Sequence, residues 1–444
     1  MTLSACAFYT RAINECPQGE AVARILAASI QAVEPGSSVR RFVQRAGNAL
    51  LVDQQEYRLD EIGQIRILGL GKAALGMSQA LVEMLEGFSY RGLLIPKYEL
   101  TQALSQFAVF PGGHPIPDKN SLIAAQQAIH LVSGLSERDL LICLISGGGS
   151  ALMTAPVQGV SLADIQALTA ILLASGARID EINVLRRRLD QLKGGGLAKL
   201  AVPARIISLI LSDVVGSPLE VIASGPTAPD PSYRADVLGM LDKYAIRQQV
   251  PKTLLAALEN TPETPKPGNA IFDRVQNLVV GSNLQAAQAA LQQAQTEGFI
   301  ARSLGSEWQG EARLVAVALS RELKSAPETR PFCLVAGGET TVTLHGSGRG
   351  GRNQELALAA VPELAGLPGV MLITLATDGE DGPTDAAGAV VTGETFQRGQ
   401  RLGLHPETFL ADNNAYAYFA ALGDLLQPGT TGTNVNDLMV LFGF

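Results

Sequence analysis

The sequence predicts an α/β fold built from two α/β domains, of which the N-terminal one is a doubly wound, Rossmann-like and mostly parallel sheet. Six short apolar runs each end in glycine, serine or an acidic residue: IRILGLGK, LLICLISGGGS, IISLILSDV, NLVVGSN, FCLVAGGE and VMLITLATDG. Unbroken apolar runs of this length suit strands that are covered on both faces, as in a parallel sheet. Helical stretches such as SLIAAQQAIHLVSGL and LQAAQAALQQAQTEG lie between the runs, and this alternation is typical of α/β proteins.

The length and one proline-rich stretch predict where the domains divide. A chain of 444 residues is too long for a single hydrophobic core. The segment NTPETPKPGNA is interpreted as a linker or exposed loop. We therefore expect an N-terminal domain over residues 1–255 and a C-terminal domain over residues 270–444.

Composition narrows the classes of function. The net charge of −8 argues against a nucleic-acid partner, because binding to a phosphate backbone needs a basic face. The four cysteines have no C-x-x-C spacing and the four histidines have no H-x-x-x-H spacing, which disfavours a zinc site. No long apolar stretch predicts a signal peptide or membrane span, so we expect a cytoplasmic protein. Whether it forms a homo-oligomer is left open.

The run RILGLGKAALGMSQAL fits the spacing of a dinucleotide-binding loop, with Gly69, Gly71 and Ala74 at the G-x-G-x-x-A positions. Two features argue against NAD. Lys72 has no role in hydride transfer, and the next apolar run ends at Lys97 instead of the acidic residue that binds ribose. No G-x-x-x-x-G-K-S/T motif occurs in the chain, so Lys72 is best interpreted as a phosphate contact in another kind of kinase.

The segment LISGGGSALM follows a predicted strand and precedes a predicted helix. Glycines in this context let backbone N–H groups turn toward an anion, and a helix N-terminus adds positive potential. A plain tight turn is the alternative. The residues predicted to bind nucleotide phosphates here are Ser146, Gly147, Gly148, Gly149 and Ser150.

Acidic residues follow two other predicted strands. Asp213 comes after IISLILS, and Asp378 opens the loop DGEDGPTD. A strand-end aspartate is a usual Mg²⁺ ligand in phosphoryl transfer, although a helix N-cap and a solvated acidic turn explain these two positions as well.

Cationic side chains stand in two further segments. In LHGSGRGGRNQELAL, Arg349 and Arg352 lie in a glycine-rich loop that leads into a predicted helix, which would make an anion trap. Arg186 and Lys193 are seven residues apart on one face of another predicted helix. They are either a second phosphate-side pair or a solvated stripe, and position alone favours the stripe.

Long motifs in this order resemble the class II glycerate kinase (glycerate 2-kinase) family, and the second half of the chain resembles the C-terminal domain called MOFRL. The matching segments are GLGKAALGM, GGHPIPD, LISGGGSALM, LSDVVGSPLEVIASGPT, GGETTVTLHGSGRGGRNQELAL, ATDGEDGPTDAAGAVV and TGTNVNDLMVLF. The resemblance implies ATP- and Mg²⁺-dependent phosphorylation of D-glycerate at its 2-hydroxyl, in a cleft between two α/β domains. The segment NVLRRRLDQLKGGG departs from the family pattern at Arg188 and Asp190, so neither is given a chemical role.

The resemblance also implies roles for single residues. Lys72 and Arg352 are expected to act in catalysis, and Asp213 and Asp378 to bind the metal. The glycine loop at residues 146–150 is expected to hold nucleotide phosphates. Other residues of the site complete the set: Asn283 on the nucleotide phosphates, and Glu339, Asn434 and Asp437 as substrate-binding or supporting residues.

Two other functions remain open at the level of sequence. A nicotinamide-dependent hydroxypyruvate reductase would account for the G-x-G-x-x-A spacing. A non-catalytic sensor of sugar acids or nucleotides would keep the binding loops without turnover, although no DNA-binding element accompanies them.

Overall fold

The computed structural model describes residues 3–100, 104–177, 179–326 and 329–444. The chain divides into two compact units, which are described separately. The first unit is residues 35–280, and the second is residues 1–34 together with 281–444. This division is drawn differently from the predicted domains, 1–255 and 270–444, whose limits stay a prediction.

The strands, numbered along the chain, are β1 (Val43–Ala46), β2 (Ala49–Val52), β3 (Gln55–Arg58), β4 (Ile65–Leu70), β5 (Tyr90–Ile95), β6 (Phe107–Val109), β7 (Leu140–Ile145), β8 (Arg205–Leu211), β9 (Val275–Gly281), β10 (Ile300–Glu311), β11 (Phe332–Thr341), β12 (Val370–Ala376), β13 (Gly388–Thr392), β14 (Leu425–Leu426) and β15 (Asp437–Gly443).

The α-helices, numbered in the same way, are α1 (Arg11–Glu15), α2 (Gly19–Ala32), α3 (Pro35–Phe42), α4 (Ala74–Met84), α5 (Lys119–Val132), α6 (Gly149–Leu152), α7 (Leu162–Ala174), α8 (Ile179–Arg188), α9 (Gly196–Ala201), α10 (Arg234–Lys243), α11 (Lys252–Asn260), α12 (Asn283–Thr296), α13 (Ala312–Lys324), α14 (Arg352–Leu364), α15 (Thr395–Arg401), α16 (Pro406–Ala411) and α17 (Ala415–Leu422).

The first unit is built on a six-stranded sheet of order β6-β5-β4-β7-β8-β9, in which the pairs from β6 to β8 are parallel. Helices cover both faces. Leu68 and Leu70 pack into a core with α5 and α9, whereas Gly69, which points to the opposite face, contacts α4. All six residues of β7 are buried, as its unbroken apolar run predicts. The predicted doubly wound α/β architecture is confirmed.

The order of strands reverses between β4 and β7. From β4 the chain moves outward to β5 and β6, then returns to β7 and continues to β8 on the other side. Ligands of doubly wound sheets bind at this switch point, outside the carboxyl ends of the two central strands. The fold therefore brings the loop that contains Lys72 next to the loop at residues 146–150.

The second unit is built on a six-stranded mixed sheet of order β10-β11-β15-β12-β13-β14. The sequence predicts β11 and β12 as strands of a parallel sheet. They are strands, but β15 lies between them and is antiparallel to both. An apolar run indicates that both faces of a strand are covered. It does not indicate whether the neighbouring strands are parallel or antiparallel.

Residues 1–34 belong to the second unit through contacts with distant parts of the chain. Helix α2 packs against α12, and an ion pair joins Arg24 to Glu297 at 2.8 Å. The backbone N–H of Ala12 donates to Oδ1 of the buried Asp424 at 2.8 Å. Of the helices in the described ranges, none is long and apolar enough to cross a bilayer.

Candidate active site

Hydrogen bonds join the two loops at the switch point of the first unit. The backbone N–H of Lys72 donates to the carbonyl of Gly147 at 3.1 Å, and that of Ser146 donates to the carbonyl of Leu70 at 2.8 Å. The Ser146 hydroxyl accepts from the N–H of Ala73 at 3.0 Å and is buried. Ser146 therefore holds the two loops together, and its predicted contact with a phosphate stays a prediction.

The glycines of the G-x-G-x-x-A run have structural explanations. Gly71 has a φ of 110°, and a Cβ on it would overlap the backbone and hydroxyl of Ser146. A Cβ on Gly69 would overlap the side chain of Leu94. Close packing within the sheet and between its loops thus requires both glycines, with no need for a dinucleotide.

The glycine loop has the free donors of an anion site. Within the described ranges, the backbone N–H groups of Gly147, Gly148, Gly149 and Ser150 have no hydrogen-bond acceptor. Gly148 adopts a left-handed conformation with a φ of 87°. The following helix, α6, has only four residues, so its dipole adds less than the sequence predicts. Four consecutive N–H groups are what a phosphate would bind here.

Asp213 lies against this loop. It follows β8, and a Cβ on Gly147 would overlap its Oδ2 atom. The Asp213 carboxylate occupies the space that a side chain at residue 147 would need. Both Asp213 and the turn therefore favour glycine at this position. The structure therefore brings one of the two predicted metal ligands to the predicted phosphate loop.

His114 is a site residue that sequence reasoning missed. Its Cδ2 atom lies 3.0 Å from the position that a Cβ of Gly148 would take. Burial lowers the pKa of His114, and the charges of Lys72 and Lys97 lower it further. Its Nδ1 atom is buried and has no hydrogen-bond partner in the described part of the chain. The segment GGHPIPD is among the motifs that resemble the family, and it was the one signal for this residue.

Lys72 projects from the end of β4 as an exposed side chain. Among the described residues, no carboxylate forms an ion pair with it. Its ammonium group is therefore available to a ligand, and its effect on the pKa of His114 places its charge near the glycine loop.

In the second unit, Arg352 is held by two carboxylates. Its Nη1 atom lies 2.6 Å from Oε1 of Glu339. Its Nη2 donates to Oδ1 of Asp437 at 3.1 Å, and its Nε atom lies 2.6 Å from Oδ2 without an aligned hydrogen bond. The antiparallel β15 makes this possible, because its first residue, Asp437, pairs with Gly338 and Ala376 at the carboxyl ends of β11 and β12.

The predicted anion trap at the start of α14 is wrong in one respect. The backbone N–H groups of Asn353 and Gln354 donate to Asp381 at 3.1 and 2.9 Å, so a buried carboxylate already caps the helix. An anion here could be bound by the Arg352 side chain but not by the helix N-terminus. Arg349 points elsewhere, since its guanidinium carbon lies 4.3 Å from the centre of the Tyr416 ring.

The other predicted site residues of the second unit make contacts of their own. Asn434 donates to Oδ2 of the partly buried Asp378 at 3.3 Å. The buried Asn283 donates hydrogen bonds from its amide Nδ2 to the carbonyls of Val435 and Asp437, at 2.9 and 2.8 Å. It thereby fixes the start of β15, and its predicted contact with a phosphate stays a prediction.

The carboxylates at the candidate site suit Mg²⁺ better than a metal ion that needs three or more protein ligands. The described residues contain no group of three or more His, Cys, Asp or Glu side chains that could hold a metal ion. Magnesium in kinases is typically bound by one or two carboxylates together with substrate phosphates and water. Asp213, which lies against the glycine loop, fits that pattern.

The interpretation of Arg186 and Lys193 as a solvated stripe is wrong. Lys193 is 3% exposed, and its Nζ atom lies 2.5 Å from Oδ2 of Asp190. The same ammonium donates to the hydroxyl of Thr154 at 3.3 Å. Helix α8 ends at Arg188, so Lys193 lies beyond it and the two residues do not share a helix face.

The burial of Asp437 predicts a dependence of stability on pH. Burial raises the pKa of Asp437 to about 7, although Arg352 opposes the shift. The unfolded value is about 3.9, so the folded protein binds the extra proton, and this stabilisation is lost as pH rises from about 4 through about 7. Urea unfolding should show the wild-type free energy of unfolding falling relative to that of Asp437→Asn over this range. Parallel pH curves for the two proteins would contradict the assignment.

Comparisons with known proteins cover nearly the whole chain. Residues 21–259 match a family described as a domain of unknown function (DUF4147), and residues 332–437 match the MOFRL family. The chain is 38% identical to D-glycerate 2-kinase of Thermotoga maritima over 94% of this chain and 96% of that protein. It is 38% identical to glycerate kinase of Homo sapiens over 95% and 92%. A crystal structure of glycerate kinase from Thermotoga maritima superposes with a TM-score of 0.85 at 36% identity, covering 96% of this chain and 99% of that one.

Proposed function

Because the chain belongs to the glycerate 2-kinase family, we propose that it phosphorylates D-glycerate at its 2-hydroxyl, with ATP as phosphoryl donor and Mg²⁺ as cofactor. The name D-glycerate 2-kinase is that of the Thermotoga maritima relative. The enzyme class, a kinase acting on an alcohol group, follows from the family. The 2-position, the nucleotide and the metal are the finer parts of the proposal.

The glycine loop is the observation that carries the proposal. It offers four consecutive N–H groups without an acceptor in the described residues, at the switch point of a doubly wound sheet. Asp213 lies against these donors, and the free ammonium of Lys72 extends from the adjoining loop. A polyphosphate with a bound divalent cation matches this set of groups.

Phosphoryl transfer asks a protein mainly to position its substrates and to stabilise charge. In this proposal the N–H groups of residues 147–150 bind nucleotide phosphates, and Asp213 and Asp378 bind Mg²⁺, which neutralises charge on the phosphates when bound. Lys72 and Arg352 stabilise the transferring group or hold the glycerate carboxylate. Glu339 and Asp437 keep the Arg352 guanidinium in a fixed orientation, since both carboxylates contact it.

The direct test is incubation of the purified protein with ATP, Mg²⁺ and D-glycerate, followed by identification of the phosphoglycerate isomer. We expect 2-phosphoglycerate, formed only with a divalent cation present. Formation of 3-phosphoglycerate would correct the position of attack. Oxidation of reduced nicotinamide on addition of hydroxypyruvate, without kinase activity, would instead support the reductase.

Gly148→Val is expected to raise the KM for ATP about 10- to 100-fold, because a branched side chain forces the loop out of the left-handed conformation and toward His114. The matched control is Gly159→Val. Gly159 has a similar φ of 84°, but a Cβ there would meet nothing within 4 Å. Steady-state kinetics on both folded variants measures the KM for ATP. An equal KM in the two variants would mean that the loop is a plain turn with no role in nucleotide binding.

A further inference from the structure

Three consecutive arginines of α8 have different partners. Arg187 donates to Asp230 at 2.8 Å and Arg188 to Glu263 at 2.7 Å, and both arginines are buried. Among the described residues, the one hydrogen bond of Arg186 runs from Nη1 to Oδ1 of Asn183 at 3.5 Å. Over the ranges that the structure describes, no carboxylate forms an ion pair with Arg186.

This arrangement leaves one positive charge without compensation. The neighbouring Lys193 is paired with Asp190, so the charges of that pair cancel. Arg186 is itself partly buried, and burial lowers its pKa. A guanidinium that is withdrawn from water without an anionic partner costs free energy, which binding of an anion would recover.

Contacts tie this part of the first unit to the residues just after the glycine loop. The Lys193 ammonium donates to Thr154, whose hydroxyl in turn donates to the carbonyl of Ser150 at 3.3 Å. Burial lowers the pKa of Lys193, and the charge of the nearby Arg186 lowers it further. The uncompensated charge thus lies in the neighbourhood of the proposed phosphate loop.

A strained turn holds the Ser150 hydroxyl. The turn Ile222–Ser224 packs against both α6 and α8. Ala223 and Ser224 have φ values of 49° and 61°, a conformation that is costly for residues with a side chain. The buried Ser224 hydroxyl lies 2.7 Å from that of Ser150, which is itself only partly buried. The turn therefore positions Ser150, and strain of this kind clusters at binding sites.

We propose that Arg186, together with the Ser150 hydroxyl, forms an oxyanion subsite of the active site. Its ligand is a group whose two oxygens match the planar fork of the guanidinium. Both substrates of the proposed kinase carry such a group, namely the carboxylate of the hydroxy acid and the phosphates of the nucleotide. This inference rests on the proposed function for the identity of those ligands. Asn183 and Ser224 are positioning residues in this subsite.

The test compares Arg186→Gln and Arg186→Lys with Arg91→Gln. Arg91 is an exposed arginine near the amino end of β5, the end of the sheet away from the loops. For Arg186→Gln we expect KM for one anionic substrate to rise about 10- to 100-fold, with a smaller change in kcat. Arg186→Lys keeps the charge but loses the fork, so it should recover only part of the loss. Arg91→Gln should match the wild type.

The two sources of the anion give different results. A rise in KM for D-glycerate alone identifies the carboxylate, whereas a rise for ATP alone identifies a phosphate, and either supports the subsite. Unchanged KM values for both substrates in a folded Arg186 variant overturn it, as does a lower melting temperature accompanied by a fall in kcat alone. If Arg186→Gln does not fold, the lysine variant provides the same comparison.

Calorimetry separates failure of this inference from failure of the proposed function. D-Glycerate and ADP are titrated separately into the wild-type protein and the Arg186 variants. A wild-type protein without kinase activity would refute the function. Weaker binding of either probe to the variants would still support the subsite, and binding equal to that of the wild type would refute it.

Discussion

Arg352→Ala is expected to lower kcat at least about 100-fold, because a cation that stabilises a transferring phosphoryl group contributes about 10³–10⁵ in rate. Glu339 and Asp437 hold the guanidinium in one orientation, so little freedom is lost when the substrate binds. Arg352→Lys should recover only part of the rate, since a point charge cannot replace the bidentate fork. Steady-state kinetics on folded variants, with kcat and KM determined separately, measures the effect.

The control for this prediction lies three residues earlier. Arg349 is exposed, stacks on Tyr416 and faces Asp385 at 3.7 Å. Such an arginine contributes only to the overall electrostatic potential at the site. Its contribution is about 1 kcal/mol or less. Arg349→Ala should therefore change kcat by less than about tenfold. A greater loss in Arg349→Ala than in Arg352→Ala would show that the roles of the two arginines are assigned the wrong way round.

Lys72→Met is expected to lower kcat about 100- to 1,000-fold, the range found when one preorganised electrostatic contact to the reacting group is removed. The methionine keeps most of the apolar stem, and the backbone N–H that donates to Gly147 remains. The fold should therefore survive, and an unchanged thermal unfolding midpoint would verify this. The loss should appear in kcat if Lys72 contacts the transferring phosphoryl group, and in KM for D-glycerate if it holds the carboxylate.

Lys97→Met is the matched control for Lys72. Lys97 follows β5 at the same edge of the sheet, and its ammonium lies 4.6 Å from the centre of the Tyr98 ring. Both lysines lower the pKa of His114 by their charge, so both contribute to the local field. We expect Lys97→Met to lower kcat by less than about tenfold. An equal loss in the two variants would mean that net charge, and not a contact made by Lys72, is what the reaction needs.

Much of the fold could be predicted from the sequence because strands and turns leave local signals. All six apolar runs contain strands, and the predicted α/β class and family are confirmed. The exposed strand β10 and the small β1–β3 sheet were missed, since polar residues interrupt β10 and each strand of the small sheet has only four residues. The predicted cleft between two domains and the metal-binding roles of Asp213 and Asp378 stay predictions.

The residues that sequence reasoning missed act through contacts with distant segments. His114 lies against Gly148, and Ser224 against Ser150, across 34 and 74 positions of the chain. Asp381 lies in the acidic loop DGEDGPTD with no role predicted from the sequence, yet it caps a helix that begins 29 residues earlier. No local pattern reports such pairings.

The sequence by itself determined where six of the strands lie, which turns need glycine, and to which family the chain belongs, because each depends on neighbouring residues or on motifs ten or more residues long. Only the tertiary structure decided what the charged residues face. Strand order joins the Lys72 loop to the loop after β7, and the antiparallel β15 buries Asp437 beside Arg352. Tertiary packing also covers Lys193 and, within the described residues, leaves Arg186 without a carboxylate partner. Burial and Coulomb energy depend on distances through space, which the spacing of residues along the chain does not specify.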